Sequence, residues 1–500
     1  MNTYKNVYRL LLAGLLCVAV TTSSCDNNFG ELNTNPAAAD RVDSPILLNF
    51  VINRAASSRY EQWRGNLIYT SQWSQQLSGA WSPDRYNSTV EDWLAAYWIV
   101  AYGDYMRNIQ AILNQEEGTA IEGMALILKV MIMQRVTDMY GDIPYSEAFQ
   151  GGELPQPVYD TQEMIYGQFV SELRQAIGQL TDGNGANPGS SDAIYGGDLA
   201  RWRKLGNSIL LRVGLRMSEV NPTLAEQLVA EAINGGIIAE EGDLAYLEFD
   251  GSMPGAPVAS GVAAVFNDFG IGGGGFALSD ELVDRLKAAD DPRLAVIATK
   301  YNSDGSVDDS VSPADFEGRA NGGDFPSLFD FVLPNHDVMV AYDSPTLYYT
   351  LAEAEFSRAE AIVRGWVSGN AQEAYENGVR AACKQLALYP RSTPITDAEI
   401  DALLAQPTVA WDAGNAMNLI NTQKWIALLF DGFEAYANFR RTGFPELTPG
   451  LTAGETNGQI PQRMRYPISE SLTNKANYDD AVSRLSGGDV ITAPVWWDAN

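Results

Sequence analysis

The chain has 500 residues, of which 46% are hydrophobic, 10% aromatic and 19% charged, a composition typical of a folded globular protein. Its formal net charge of −30 repels phosphate backbones and anionic lipid surfaces, which excludes nucleic acid as a partner. The chain contains one histidine, His336, and three cysteines. Histidine-based acid–base catalysis, a Ser-His-Asp triad and multi-histidine zinc sites need histidines that hardly exist here, so carboxylate-based chemistry or no chemistry is favoured.

Residues 1–24 are predicted to form a signal peptide. Lys5 and Arg9 supply its positive start, and the apolar run that follows is too short to span a bilayer. Small residues then precede Cys25, an arrangement that resembles the bacterial lipobox, in which the cysteine sulfur receives a diacylglycerol. Thr22 departs from that pattern, because lipoboxes prefer leucine three residues before the cysteine. We predict a lipid on Cys25, with an ordinary cleaved signal peptide as the alternative.

The remaining cysteines follow from this assignment. Cys17 leaves with the signal peptide, and Cys25 is capped by lipid. Cys383 then has no partner, so we predict no intramolecular disulfide and a small buried side chain at Cys383. No other apolar run approaches the length of a membrane span.

Apolar residues recur at helical spacing along most of the mature chain, residues 25–500. Thr119 and Asp160 are predicted to cap the starts of helices, and Gly141 and Gly365 to end them. The predicted helices cover residues 45–58, 61–78, 89–114, 119–140, 161–180, 199–218, 223–234, 344–364, 370–388 and 415–441. Pairs of helices of this length suggest stacked hairpins of the tetratricopeptide kind, although no repeat of fixed period is present.

Residues 240–343 differ from the rest of the chain. Glycine, proline, aspartate and serine are frequent there, and long periodic runs are absent from the sequence. We predict one domain, 25–500, carrying this loop-rich insertion, since insertions on a helical scaffold often carry function. Asn302–Asp309 resembles part of a calcium loop but lacks the terminal glutamate, so no metal site is predicted.

Several short strings occur in a specific order along the mature chain. They are 137–148 (TDMYGDIPYSEA), 202–212 (WRKLGNSILLR), Ser279-Asp280, Asp291-Pro292-Arg293, 351–355 (LAEAE), 423–428 (QKWIAL), 440–445 (RRTGFP), Tyr466-Pro467 and the terminal Trp496-Trp497-Asp498. In this order and behind a lipobox, they resemble the SusD/RagB family of outer-membrane nutrient-binding lipoproteins. The resemblance is strongest to its SusD-like branch.

The resemblance implies a mainly α fold, in which tetratricopeptide-like hairpins support an irregular, loop-rich, ligand-facing half. It implies a lipid-anchored protein at the cell surface that binds its ligand without catalysis or cofactor. The partner would be a SusC-type TonB-dependent outer-membrane transporter. Arg440 and Arg441 are expected near a helix end, paired with a buried glutamate such as Glu355.

Sugar binding requires flat apolar faces for pyranose C–H surfaces and planar polar groups for hydroxyls. Residues 60–98 are dense in aromatic side chains, and 79–87 (GAWSPDRYN) reads as a loop among them. Its predicted ligand-binding residues are Trp81 and Tyr86 as stacking platforms, with Arg85, Asp84 and Asn87 as hydroxyl partners. Trp73, Trp93 and Trp98 are predicted to be core residues.

A second wall could come from the insertion, although packing of these side chains on one another is the preferred interpretation. Its members are Phe325, Phe329, Phe331, Asn335, His336 and Tyr342. The predicted function is capture of a glycan or oligosaccharide for delivery to the transporter. Alternatives are the same role for peptides, a surface glycoside hydrolase that uses two carboxylates, and a helical scaffold that binds only proteins.

Overall fold

The computed structural model describes residues 41–79, 82–87, 91–150, 153–252, 259–268 and 270–498. Cys25 and Trp81, both predicted to be functional, lie outside the described residues. Residues 44–500 belong to one unit, and this unit contains every helix and strand of the described residues.

Helices form most of this unit, as the sequence predicts. The helices before the insertion are α1 (Ser44–Ser57), α2 (59–73, π-helical at Gln62–Thr70), α3 (Glu91–Leu94), α4 (96–113, π-helical at Ala101–Tyr105), α5 (Ala120–Tyr140), α6 (Gln162–Gln179), α7 (Leu199–Arg216) and α8 (Pro222–Gly235). The later helices are α9 (Gly261–Asn267), α10 (Asp280–Ala288), α11 (Arg293–Ile297), α12 (Leu351–Val363), α13 (Ala371–Lys384), α14 (Asp397–Leu404), α15 (Ala416–Ala427), α16 (Gly432–Thr442), α17 (Ile468–Thr473) and α18 (Lys475–Ser483).

Short strands join distant parts of the chain. They are β1 (Leu77–Gly79), β2 (Ala245–Leu247), β3 (Phe276–Leu278), β4 (Ala298–Lys300), β5 (Val332–Pro334) and β6 (Thr346–Tyr349). The antiparallel pairs are β1 with β3, β2 with β6, and β4 with β5. Because β2 to β5 lie within 240–343, the first two pairs attach the insertion to the helical body.

Consecutive long helices pack as hairpins: α5 on α6, α7 on α8, and α12 on α13. Small residues let the backbones approach closely. A Cβ on Gly123 of α5 would lie 2.9 Å from the Ala176 carbonyl of α6, and one on Gly206 of α7 would lie 2.9 Å from the Ile177 side chain. The mainly α, tetratricopeptide-like class predicted from the sequence is confirmed.

Buried ion pairs connect the hairpins. Arg212 of α7 binds Glu353 of α12 with two hydrogen bonds of 2.8 and 2.7 Å, and Arg441 of α16 binds Glu360 of α12 at 2.6 and 2.7 Å. Burial would raise the pKa of Glu360, but the guanidinium of Arg441 lowers it to about 2. The bidentate geometry makes each pair a specific link between two helices.

The partner expected for Arg441 was wrong. Glu355 instead accepts a hydrogen bond from Arg358, one turn along its own helix. Glu353 and Glu360 are seven residues apart, which places them on the same face of α12, whereas Glu355 points to another side.

Three predicted helices are shorter than expected. The helix predicted over 61–78 ends at Trp73, and residues 77–79 form β1. Residues 346–349 form β6, and α12 begins only after Thr350, whose hydroxyl accepts from the Glu353 N–H. The helix predicted over 415–441 breaks at 428–431, where Asn66 of α2 donates to the Phe430 carbonyl and accepts from the Gly432 N–H.

Most helix ends agree with the sequence. Thr119 caps α5. Gly141 and Gly365 each follow the end of a helix and have a positive φ. Asp160 does not cap α6, which begins after Thr161. Its carboxylate instead accepts from the N–H groups of Tyr145 and Ser146.

Candidate ligand-binding site

Three loops meet where the aromatic-rich N-terminal part contacts the insertion and the C-terminal part. They are residues 82–87, 319–325 and 448–456, and we call them the three-loop platform. The first begins as a single 3₁₀ turn, Ser82–Arg85, after β1. Its contacts with the other two loops decide which of the predicted site residues can face a ligand.

Asp84 fixes the first loop to the second. Its carboxylate is fully buried, accepting from Arg319 Nη1 at 3.0 Å and from the Gly322 N–H at 3.2 Å. Burial raises the pKa of Asp84, and the charge of Arg319 opposes that rise. Arg319 also donates to Ser78 Oγ and the Gly79 carbonyl, so this ion pair holds the end of β1 as well.

Tyr86 fixes the first loop to the third. Its side chain has 0% exposure, and its hydroxyl accepts from the Gly450 N–H at 2.7 Å and from Gln75 Nε2 at 3.3 Å. Its backbone lies in the left-handed region, with φ of 54°. The side chains of Tyr86 and Asp84, both predicted to contact the ligand, are therefore buried and give the loop its shape.

The second and third loops are also joined directly. The Leu451 N–H donates to the Asn321 carbonyl at 2.8 Å, and Thr452 Oγ1 donates to the Gly322 carbonyl at 2.5 Å. Gly454 has φ of 56°, and a Cβ there would overlap the Arg85 carbonyl. Only glycine fits this approach of two backbones. Sequence reasoning did not identify the residues that join the second and third loops. The glycines of these loops were the only sequence feature that could have indicated the close backbone contact.

Arg85 and Asn87 keep part of their side chains accessible on the platform. The Arg85 side chain is 32% exposed and pairs with Asp324, whose carboxylate is 89% exposed. Asn87 Oδ1 accepts from the Glu455 N–H at 3.1 Å. A guanidinium and a primary amide are planar donors of the type that binds sugar hydroxyls.

The aromatic residues of the insertion pack on one another, as the preferred interpretation predicted. Phe325 and Phe331 meet edge to face with centroids 4.8 Å apart, and Phe331 belongs to a small core with Ala277, Tyr301 and Leu333. Phe329 is half-buried against the same cluster. Phe325 also lies under the guanidinium of Arg319, so this core supports the platform from below.

His336 is 6% exposed and lies between the rings of Phe266 and Tyr301. Both of its ring nitrogens lack a hydrogen-bond partner among the described residues. Burial lowers the pKa of His336 to about 4, with Asp337 opposing. Its neighbours in the predicted wall are similarly engaged: Asn335 donates to the Val296 carbonyl, and Tyr342 to Asp268.

The calcium-like string forms a turn between Tyr301 and Val307, which pair as an antiparallel bridge. Asp304 accepts from the N–H and hydroxyl of Ser306, and Asp308 does the same with Ser310. Within the described part of the chain, no group of three or more His, Cys, Asp or Glu side chains is placed to hold a metal ion. In the same residues, no helix is long and apolar enough to cross a membrane.

Comparison with known proteins decides the family. Residues 36–467 match the SusD-like family model described as "Starch-binding associating with outer membrane". The chain belongs to the SusD-like family. No curated protein sequence matches it.

Solved SusD-like structures match the fold of this protein over nearly the whole chain. A chitin-binding protein is 32% identical with a TM-score of 0.82, over 92% of this chain and 100% of its own. A chitin-binding SusD homolog from Flavobacterium johnsoniae is 25% identical with a TM-score of 0.76, over 91% and 98%. A SusD-like protein from Bacteroides thetaiotaomicron is 25% identical with a TM-score of 0.76, over 92% and 99%.

Proposed function

We propose that this SusD-like protein is a lipid-anchored cell-surface protein that captures a glycan and delivers it to a SusC-type TonB-dependent transporter. The observation that carries the proposal is similarity over the full length of a chitin-binding protein at 32% identity. A second relative is also named as chitin-binding. Chitin oligosaccharides are therefore the first ligands to test, followed by starch oligosaccharides, to which the family description refers.

The platform supports this proposal by its construction. The ion pair of Asp84 with Arg319 and the hydrogen bonds of Tyr86 hold the first loop in one conformation. The loop then presents Arg85 and Asn87 close in sequence to Trp81. A preformed arrangement of this type binds with little loss of conformational entropy. We assign capture to Trp81, Arg85 and Asn87, and support of the loop to Asp84 and Tyr86.

The direct test is titration of the mature protein with chitin oligosaccharides, starch oligosaccharides and a peptide pool. Trp81→Ala should weaken glycan binding by about 1–3 kcal/mol, by analogy with stacking of nucleic-acid bases on aromatic side chains. Tyr246→Ala, which removes a half-buried tyrosine on β2 outside the platform, is the matched control and should bind normally. Absence of glycan binding would overturn the proposal, and binding of peptides alone would transfer it to the peptide alternative.

The absence of catalysis and the anchoring are tested separately. Incubation with the bound glycan should leave its chain length unchanged, and release of shorter sugars would identify a glycoside hydrolase. Cys25→Ser should release the protein from the outer membrane, because the acyl chains provide its attachment. Affinity purification from outer membranes should recover a TonB-dependent barrel, and its absence would contradict the transport role.

A further inference from the structure

A second concave site lies at the start of α10, against α15 and the segment before it. Its volume is about 400 Å³. Its lining residues include Asp280, Glu281, Asp284, Asp291, Thr422 and Gln423. None of its lining residues belongs to the three-loop platform. Asp280 and Asp291 come from two neighbouring strings, Ser279-Asp280 and Asp291-Pro292-Arg293, and Gln423 comes from the distant string 423–428. Glycan capture on the platform does not use these three strings.

The pocket carries negative charge that is only partly neutralised. Glu281 is paired with Arg285 at 3.0 Å, and Asp291 with Arg293 at 2.5 Å. Asp280 and Asp284 have no ion-pair partner within the described ranges. Burial, together with the charges of Glu281 and Asp284, raises the pKa of Asp280. A bound cation would relieve this repulsion.

Gln423 adds a hydrogen-bond donor on a buried side chain. The residue is 4% exposed, and its Oε1 accepts from Arg293 Nη2 at 2.7 Å. Arginine can only donate, so the oxygen of Gln423 must face it and the amide NH2 is directed elsewhere. Gln423 lines the pocket, and its NH2 has no hydrogen-bond partner among the residues described. An acceptor oxygen on a ligand would satisfy this donor.

The size of the pocket indicates the kind of cation. Among the described residues, the carboxylates are too dispersed to converge on a metal ion. A space of about 400 Å³ instead suits an organic cation that extends from Asp280 and Asp284 to the donor of Gln423. An amino sugar has both groups required, an ammonium and ring hydroxyl oxygens.

We propose that this pocket binds an amino sugar, with its ammonium toward Asp280 and Asp284 and a hydroxyl oxygen accepting from the Gln423 amide. The site is additional to glycan capture on the platform and does not depend on it. Glucosamine would bind here, whereas N-acetylglucosamine lacks the charge.

The test is calorimetric titration of the mature chain with glucosamine, N-acetylglucosamine and lysine amide, at slightly acidic pH where the amines are protonated. Asp284→Asn should weaken glucosamine binding about tenfold, as expected for loss of a charged hydrogen bond. The Asp280→Asn, Asp284→Asn double variant should abolish it. Asp290→Asn is the matched control, because Asp290 is an exposed carboxylate just beyond α10 that does not line the pocket.

Glucosamine binding that is lost in the double variant, retained in Asp290→Asn and weakened by salt would support the proposal. Equal binding of N-acetylglucosamine would overturn it, since charge would not be recognised. Equal binding of lysine amide would overturn the assignment to sugars. Absence of glucosamine binding, or its persistence in the double variant, would also refute it. Glucosamine binding is also measured in Trp81→Ala, so failure of the platform and failure of the pocket are distinguishable.

Discussion

The helical hairpins and the three-loop platform are held together in different ways. Between hairpins, apolar faces and buried ion pairs such as Arg441 with Glu360 join elements that are already regular. The platform has little regular structure. Its shape comes from hydrogen bonds to the backbone, from glycines at which two backbones approach closely, and from one buried carboxylate. The hairpins therefore determine global stability, whereas the platform determines which side chains its loops expose.

The largest effect is expected from breaking a buried ion pair in the hairpins. Arg441→Met should lower the free energy of unfolding by about 3–5 kcal/mol, because Glu360 would lose its bidentate buried partner. Urea unfolding measures this. Arg174→Met, which breaks an exposed pair between α6 and α8, is the control and should cost about 1 kcal/mol or less. Equal losses of unfolding free energy in the two variants would contradict the distinction between buried and exposed ion pairs.

A pH series should separate the hairpins from the packed interior of the insertion, where His336 lies. The lowered pKa of His336 favours its neutral form in the folded protein, so stability is lost as the pH falls from 6.5 toward about 4. The pKa of Glu360 is lowered to about 2, so its contribution is lost only below 4.5. His336→Phe should remove the first phase of destabilisation, on the order of 2–3 kcal/mol, and leave the second.

Unfolding free energies of wild type and His336→Phe, measured across this range, provide the check. Parallel curves for the two proteins would show that His336 does not contribute to the acid response.

A smaller effect is expected from distorting the platform alone. Gly454→Ala places a Cβ against the Arg85 carbonyl at a positive φ, and should cost about 1–3 kcal/mol of stability and weaken glycan binding. Gly458→Ala also has positive φ, but its Cβ meets no atom within 4 Å. It should therefore show the backbone cost without loss of affinity. Similar affinities in calorimetric titrations of the two variants would refute the role of this close approach.

The smallest effect is expected from a side chain presented by the platform. Arg85→Ala should leave the free energy of unfolding within about 0.5 kcal/mol, because the residue is partly exposed and pairs with an exposed Asp324. Glycan affinity should still fall by about 1 kcal/mol. Thermal melts and titrations on the same sample separate the two quantities. An unchanged affinity would exclude Arg85 from the site.

The sequence was most informative where structure is local. The apolar periodicity and Thr119 located α5, and the string Thr350-x-x-Glu353 could have located the start of α12. The break before α16 depends on Asn66, more than 360 residues away, so no local pattern predicts it. Tyr86 was a plausible platform by its loop position, but its burial depends on Gly450, whose proximity no local pattern indicates.

The C-terminal tail has a consequence for how the protein matures. Trp497 is fully buried and donates at 2.8 Å to Asp138, which also accepts from Tyr166 and pairs with Arg216. Because Trp497 follows Asp138 by 359 residues, a chain synthesised from its N-terminus lacks this donor beside Asp138 until residue 497 has emerged. A copy truncated before Trp497 would retain an exposed hole beside the Asp138 carboxylate.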